Sequence, residues 1–221
     1  MSKEQWTAVD NYITDLFVQP DETLDGALKA SVDAGLPAIH VAPNQGKFLS
    51  ILVQALGAKK ILEIGTLGAY STIWMAQALP PGGKLITLEF EPKHAEVARK
   101  NITRAGLDQT IEVRIGRAID LLPKVAEEGL GPFDLIFIDA DKPSNWDYFQ
   151  WALKLSRPGT VIIVDNVVRD GNVIDANSQD SSVQGVRHFN EHVAKDSRVN
   201  LTAIQTVGSK GYDGFAIAYV K

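Results

Sequence analysis

Residues 59–71 read KKILEIGTLGAYS, and this stretch decides the fold: an apolar run ending at Ile64 leads through a glycine turn into a helical segment. Four more apolar runs alternate with helical segments further along the chain. They are KLITLE (84–89), IEVRI (111–115), FDLIFID (133–139) and TVIIVD (160–165). Near-continuous runs of Ile, Leu and Val are typical of parallel strands buried on both faces. The alternation therefore predicts a doubly wound α/β fold with right-handed crossovers.

Helices are predicted ahead of this core and between its strands. Residues 3–34 indicate two helices and Pro43 to Leu56 a third, so N-terminal helices within residues 1–57 are expected to cover the core. Pro92 stands where a helix between the second and third strands would begin, and Gly106 stands where it would end. No shift in composition marks a domain boundary, which favours a single domain over residues 1–221.

The C-terminal part is predicted to extend the sheet. The polar segment 168–185 is long enough for a mobile lid or surface loop, and a helix is expected over residues 183–195. Strands at 200–207 and 215–220, joined by the turn-rich GSKGYDG, should pair as an antiparallel hairpin. The expected sheet is seven-stranded and mostly parallel, with an antiparallel C-terminal strand and helices on both faces.

Composition excludes several classes of protein. The 221 residues include no cysteine, which rules out thiolate metal sites and cysteine nucleophiles. Basic residues number 22 against 27 acidic ones, and no Lys or Arg cluster marks a nucleic-acid footprint. The N-terminus indicates an amphipathic helix rather than a signal peptide, and no run approaches the roughly 20 apolar residues of a membrane span. We expect a soluble cytoplasmic protein without a membrane or nucleic-acid partner.

The glycine turn is the first candidate ligand site. Gly65 and Gly68 are expected to let the backbone turn tightly and approach a ligand at a helix N-terminus. The pattern lacks the G-x-G-x-x-G of dinucleotide binders. Glu89 ends the second run 21 residues after Gly68, near the interval at which an acid binds a ribose diol. Together they favour an adenosine-type ligand; a structural turn and a solvated acid are the alternatives.

Oxygen-bearing side chains follow the fourth and fifth runs. Asp139 lies in FIDADK (137–142), where the fourth run ends, and Asp165 and Asn166 end VDN (164–166). If the two strands are neighbours, these three side chains meet at one edge of the sheet. Two carboxylates and an amide oxygen suit a hard cation such as Mg²⁺ or Ca²⁺. For any one of these residues a capping role is the alternative, whereas the three together favour a metal site.

Two further motifs involve lysine and histidine. Lys142 lies three residues beyond Asp139, and a partly desolvated lysine beside a cation can serve as a general base. The alternative is a surface lysine paired with Asp141. His188 to His192 spell H-x-x-E-H, a pattern of some zinc proteases. The match is short and no third ligand is evident, so a solvated helix face is the better interpretation.

LEIGTLGAYS, Glu89, IDADK and VDN, in this order and spacing, resemble the cation-dependent class I O-methyltransferases, the group that includes catechol and caffeoyl-CoA O-methyltransferases. The similarity runs from about Val41 to Lys221. It implies a methyl transfer from S-adenosylmethionine to a phenolic hydroxyl, usually one of a vicinal pair on a small catechol-like substrate. It also implies a Rossmann-like methyltransferase fold, Mg²⁺ or another divalent cation such as Mn²⁺ or Ca²⁺, and a homodimer.

The resemblance assigns roles by position. Lys142 would take the proton from the attacking hydroxyl. The cofactor would be held by Val41, Glu63, Gly65, Ser71, Glu89, Ala118 and Asp139, and the metal by Asp139, Asp165 and Asn166. Leu67 replaces an aromatic residue frequent in relatives, and the segment after Lys142 differs from the plant enzymes. The role of Asp213 is open.

Other hypotheses remain. A nicotinamide-dependent oxidoreductase would carry a complete glycine fingerprint, which is missing here. A nucleotide-binding module without catalysis would be expected to have lost Lys142 or the oxygen ligands. A methyltransferase acting on a hydroxylated tRNA base is possible within the family, although the acidic balance argues against it.

Overall fold

The computed structural model describes residues 2–221 and contains one seven-stranded sheet in the order β3-β2-β1-β4-β5-β7-β6. Its strands are β1 (Lys60–Ile64), β2 (Lys84–Glu89), β3 (Ile111–Ile115), β4 (Leu135–Ile138), β5 (Val161–Asp165), β6 (Val199–Gly208) and β7 (Gly211–Val220). β1 to β5 are parallel, and β7 runs antiparallel to both of its neighbours. The predicted sheet, including its antiparallel C-terminal strand, is confirmed.

Helices cover both faces of this sheet. They are α1 (Lys3–Phe17), α2 (Glu22–Asp33), α3 (Pro43–Leu56), α4 (Tyr70–Gln77), α5 (Pro92–Arg104), α6 (Ala118–Glu127), α7 (Asn145–Lys154) and α8 (Ser181–Val193). Phe149 of α7 and Phe189 of α8 are fully buried on one face. Leu49 of α3 and Ile73 of α4 are buried on the other. No helix among residues 2–221 is long and apolar enough to cross a membrane.

Three expectations about the elements need correction. The segment 168–185 is not a continuous loop, because Asn172–Ile174 forms a 3-10 turn and α8 begins at Ser181. Asp180 starts α8 by accepting a hydrogen bond from the Ser182 backbone N–H at 2.7 Å, a local cap that the polar composition obscured. The C-terminal hairpin is longer than predicted, since its strands end at Gly208 and resume at Gly211.

The third correction concerns β3, which is an edge strand rather than a strand buried on both faces. Arg114 on β3 pairs with Glu112 at 2.8 Å and with Glu128 at 2.6 Å. Charged side chains of this kind keep an edge strand from pairing with another chain. The apolar run alone did not distinguish an edge strand from a central one.

Candidate functional site

Two adjoining cavities lie at the carboxyl ends of the parallel strands. The first, the glycine-turn cavity, has a volume of about 690 Å³ and is lined by the loops that follow β1 to β4. The second, the hairpin cavity, measures about 710 Å³ and is lined by α1, residues 38–45, the end of β5 and the β6–β7 hairpin. Six residues line both cavities: Ile39, His40, Val41, Asp139, Asn166 and Arg169. Volumes of this size suit small-molecule ligands.

The two glycines of the turn after β1 serve different purposes. Gly65 has a φ of +98°, and a Cβ there would overlap the carbonyl oxygen of Asp139. Only glycine therefore fits where the ends of β1 and β4 meet. Gly68 does not supply the expected turn conformation, because Leu67 and Ala69 carry the positive φ angles. A Cβ on Gly68 would instead overlap Ser31 Oγ, so this glycine makes room for α2.

Glu63 lies beneath the glycine-turn cavity and does not line it. Its carboxylate is fully buried and accepts hydrogen bonds from the hydroxyls of Ser71 at 2.6 Å, Thr72 at 2.5 Å and Thr87 at 2.7 Å. Burial raises the pKa of Glu63 to about 7, although the three hydroxyls oppose this shift. Ser71 does line the cavity, so Glu63 can reach a ligand there only through Ser71.

Glu89 lines the glycine-turn cavity and also holds the turn together. Its Oε2 accepts hydrogen bonds from the backbone N–H groups of Thr66 at 3.1 Å and Leu67 at 2.7 Å. Its Oε1 accepts one from Glu91 N–H at 2.9 Å and lies 3.4 Å from His94 Nδ1. The carboxylate is thus fixed by the backbone before any ligand binds. His94 also lines this cavity, and no sequence pattern had singled it out.

The other predicted cofactor residues surround the same cavity. Gly65 and Ser71 line it from the turn after β1, and Ala118 lines it from the first turn of α6. Val41 is almost fully buried and lies between the two cavities. Asp139 reaches both cavities from the end of β4.

The three predicted metal ligands all line the hairpin cavity. Asp139 follows β4, Asp165 ends the adjacent β5, and Asn166 follows with a φ of +58°. Asp165 Oδ2 accepts a hydrogen bond from Gln45 Nε2 at 2.7 Å. Burial, and then the negative charge of Asp139, raise the pKa of Asp165 well above its usual range.

This donor set fits a hard cation. Within residues 2–221, no group of three or more His, Cys, Asp or Glu side chains is arranged to hold a metal. The candidate set therefore depends on an amide oxygen, that of Asn166, in addition to the two carboxylates. Asp165 is buried, and the negative charge of the half-buried Asp139 acts on it, a repulsion that a bound cation would relieve. The remaining coordination positions would be open to water or substrate.

Lys142 is buried next to this set. It begins the 3-10 turn Lys142–Ser144, and its Nζ donates a hydrogen bond to Asp139 Oδ1 at 2.9 Å. The predicted alternative, a surface lysine paired with Asp141, is therefore wrong. Gly185 of α8 packs directly on this turn: a Cβ there would overlap the Lys142 carbonyl oxygen and lie 2.5 Å from Pro143 Cα.

Several residues of the site had no signal in the sequence. Gln45 on α3 contacts Asp165 across 120 residues of chain. Asp10 on α1 accepts hydrogen bonds from Asn44 Nδ2 at 2.9 Å and from Ser209 N–H at 2.7 Å, the latter 199 residues away. Both contacts join elements that only the tertiary fold brings together, so no local pattern could have indicated them.

Two remaining features of the sequence can be placed in the fold. His188 and His192 are exposed on α8 with ring centroids 4.0 Å apart, which agrees with a solvated helix face. Asp213 accepts backbone hydrogen bonds from Val168 at 2.9 Å, Arg169 at 3.0 Å and Gly214 at 3.0 Å. It thereby fixes the loop after β5 that carries Asn166.

Comparisons with known proteins agree with this geometry. A family model described as O-methyltransferase matches residues 16–216. The chain belongs to the O-methyltransferase family. This O-methyltransferase is 57% identical to a catechol O-methyltransferase of Niastella koreensis, with all of both chains covered. It also matches the O-methyltransferase of Bacillus cereus in complex with SAH, at 58% identity, full coverage of both chains and a TM-score of 0.98.

A third relative has the same fold. The structure of a Streptomyces achromogenes O-methyltransferase in complex with SAM matches at 49% identity and a TM-score of 0.96, covering 100% of this chain and 99% of that one. The predicted family and the predicted enzyme class, an S-adenosylmethionine-dependent O-methyltransferase, are confirmed.

Proposed function

We propose that this O-methyltransferase transfers a methyl group from S-adenosylmethionine to one hydroxyl of a small vicinal-dihydroxy aromatic substrate, with the help of a divalent cation. The observation that carries this proposal is the juxtaposition of Asp139, Asp165 and Asn166 with the buried Lys142, where the two cavities meet. The catechol O-methyltransferase at 57% identity supports the substrate class.

The glycine-turn cavity is the proposed cofactor site. Glu89 would accept hydrogen bonds from the ribose hydroxyls with the lone pairs that its backbone contacts leave free. Ser71, backed by Glu63, would contact the methionine end, and Ala118 would contact the adenine. Gly65 allows close approach of the backbone, and Val41 lies beside the neighbouring cavity. When bound, S-adenosylmethionine supplies an electrophilic methyl group.

The hairpin cavity is the proposed acceptor site. Asp139, Asp165 and Asn166 would hold Mg²⁺ or a similar cation, and Mn²⁺ and Ca²⁺ suit the same ligands. When bound, such a cation supplies Lewis acidity that lowers the pKa of a coordinated hydroxyl. Two adjacent oxygens on one ring can chelate where a single hydroxyl cannot, which favours catechols over other phenols.

The protein's own residues would supply alignment and proton transfer. Lys142 would receive the proton of the attacking hydroxyl through its Nζ. Asp139 places that amine, because its Oδ1 accepts the 2.9 Å hydrogen bond from Lys142. The cavity walls orient the acceptor towards the glycine-turn cavity, and alignment of this kind accounts for a large part of such rate enhancements.

Removal of the metal tests the proposal. We expect transfer of a labelled methyl group to catechol to stop in excess EDTA and to return with Mg²⁺, while resorcinol, whose hydroxyls are not adjacent, stays unmethylated. Asp165→Ala should lose turnover yet bind S-adenosylmethionine by calorimetry, because Asp165 lines only the hairpin cavity. Asp33→Ala, an exposed acid on α2, is the matched control. Full turnover in EDTA would contradict the proposal.

We further expect the protein to work in the cytoplasm as a homodimer with no nucleic-acid partner. Large apolar side chains are exposed along α1: Val9, Tyr12, Leu16 and Phe17. A stripe of this kind is a candidate contact surface between copies of the chain. Sedimentation analysis of the wild type and of Tyr12→Glu tests this expectation.

A further inference from the structure

Lys210, at the tip of the β6–β7 hairpin, is a cation in an unusual setting. It lines the hairpin cavity, and its Nζ donates hydrogen bonds to the Ala38 carbonyl at 3.2 Å and to His40 Nε2 at 3.2 Å. None of the acidic side chains within residues 2–221 lies within ion-pair distance of it. The residue is exposed as a whole, while desolvation of its amine lowers the pKa of Lys210. Without an acidic partner, the ammonium is available for a charge-assisted hydrogen bond to a ligand carboxylate.

Its histidine partner does not provide that counter-charge. Burial, and then the charge of Lys210, lower the pKa of His40 to about 4, so the ring is neutral at physiological pH. Nε2 therefore accepts the hydrogen bond from Lys210, and the ring proton resides on Nδ1. Both partners of the ammonium are neutral acceptors, and one of its three N–H donors remains available.

The other charged groups of the cavity, except the exposed Asp170, are engaged elsewhere. Asp10 accepts hydrogen bonds from Asn44 and Ser209, and Asp213 accepts three from backbone N–H groups. Asp139 is bonded to Lys142 and Asp165 to Gln45. Asp170 is exposed on the cavity rim, and Arg169 faces Asp213 at 3.8 Å. Lys210 is thus the cation of this cavity with the least compensation.

We propose that Lys210 determines acceptor specificity by binding a carboxylate on the substrate, so that the enzyme prefers catechol acids to neutral catechols. The inference rests on the proposed catechol-directed activity and deepens it. A volume of about 710 Å³ is much larger than a single ring requires, so a ring chelated at Asp139 and Asp165 leaves space for a carboxylate arm. A charge-assisted hydrogen bond to Lys210 would then fix the orientation of the ring.

Matched pairs of substrates test this proposal. The probes are catechols with a carboxylate on the ring, on a one-carbon arm or on a two-carbon arm, each paired with its primary amide. For each pair, kcat/KM is measured with the wild type, Lys210→Met, Lys210→Arg and the surface control Lys100→Met. Comparing the acid-to-amide ratio between enzymes cancels the intrinsic reactivity of each ring. Binding of each acid to the enzyme with S-adenosylhomocysteine and Mg²⁺ is followed by calorimetry.

We expect the acid-to-amide ratio to fall at least about tenfold in Lys210→Met for the best-fitting arm. A tenfold change corresponds to the low end of the contribution of a hydrogen bond to a charged group, and it should arise mainly through KM. Lys210→Arg should keep most of the preference, and Lys100→Met should keep all of it. An unchanged ratio in Lys210→Met for all three arms overturns this inference alone, since neutral catechols would still be methylated. A wild type that neither binds nor methylates any catechol overturns the proposed function with it.

Discussion

The two cavities of the enzyme are built in different ways. The glycine-turn cavity is formed by loops at the ends of adjacent parallel strands, and backbone groups shape it, as the N–H groups of Thr66 and Leu67 do around Glu89. The hairpin cavity is assembled from α1, residues 38–45 and the β6–β7 hairpin, which side-chain hydrogen bonds such as that of Asp10 to Ser209 hold together. The glycine-turn cavity should therefore have a rigid wall, which suits a constant cofactor. The wall of the hairpin cavity should be more open to variation, which suits a variable acceptor.

Lys142 provides the largest test of this difference. Lys142→Met removes the proposed general base, and we expect kcat to fall by about 10²–10⁴. The affinity for S-adenosylmethionine should stay within about twofold in calorimetry, because Glu89 and the backbone shape the proposed cofactor site. Lys142 lines the glycine-turn cavity, so a variant that keeps its kcat, or that loses cofactor binding instead, would show that Lys142 serves only as part of that wall.

The buried Glu63 beneath the glycine-turn cavity can be tested through the pH dependence of stability. Its pKa is raised from 4.5 to about 7, so between these two pH values the folded state keeps a proton that the unfolded chain has lost. The stability that this group contributes is complete below pH 4.5 and is lost as the pH rises to 7, about 3 kcal/mol in all. In Glu63→Gln, which imitates the neutral form, that loss should disappear.

Urea unfolding at pH 5 and pH 8 measures this effect. The wild type should lose more stability than Glu63→Gln between the two pH values, and Glu96→Gln, at an exposed position on α5, should follow the wild type. Parallel profiles for all three proteins would mean that Glu63 is ionised in the fold.

Gly185 tests the contact between the 3-10 turn Lys142–Ser144 and α8. A Cβ there would displace the Lys142 carbonyl or Pro143, so Gly185→Ala should shift the proposed base. Misplacement of a reacting group by about 1 Å can cost 10²-fold, and we expect kcat to fall by about 10- to 100-fold with a smaller change in KM. Gly26→Ala on α2 is the control, because its Cβ would lie 3.4 Å from the nearest atom, Arg104 Cδ. Equal effects of the two substitutions would show that the contact with α8 does not position Lys142.

The same difference in construction explains how much the sequence could predict. Glu89, Asp139 and Asp165 follow strands that their apolar runs reveal, and the ends of parallel strands converge by topology, so these three residues could be placed before the structure was known. His40 and Lys210 come together through tertiary packing across 170 residues, which leaves no periodic signal. Gly68 is instructive as well, because its partner Ser31 belongs to a helix that the motif does not include.

Asp10 provides the smallest and most selective test. Asp10→Ala removes the acceptor for Asn44 Nδ2 and Ser209 N–H, which should cost about 1–2 kcal/mol of stability. It should also loosen the contacts of α1 with α3 and with the β6–β7 hairpin around the hairpin cavity. We expect the acceptor KM to rise several-fold while the cofactor affinity is unchanged; Asp10→Asn, which keeps one acceptor oxygen, should lie between. Steady-state kinetics with each substrate varied in turn measures both quantities. A matching loss of cofactor affinity would show that the two cavities are coupled through residues 38–45. The glycine-turn cavity would then not be more rigid than the hairpin cavity.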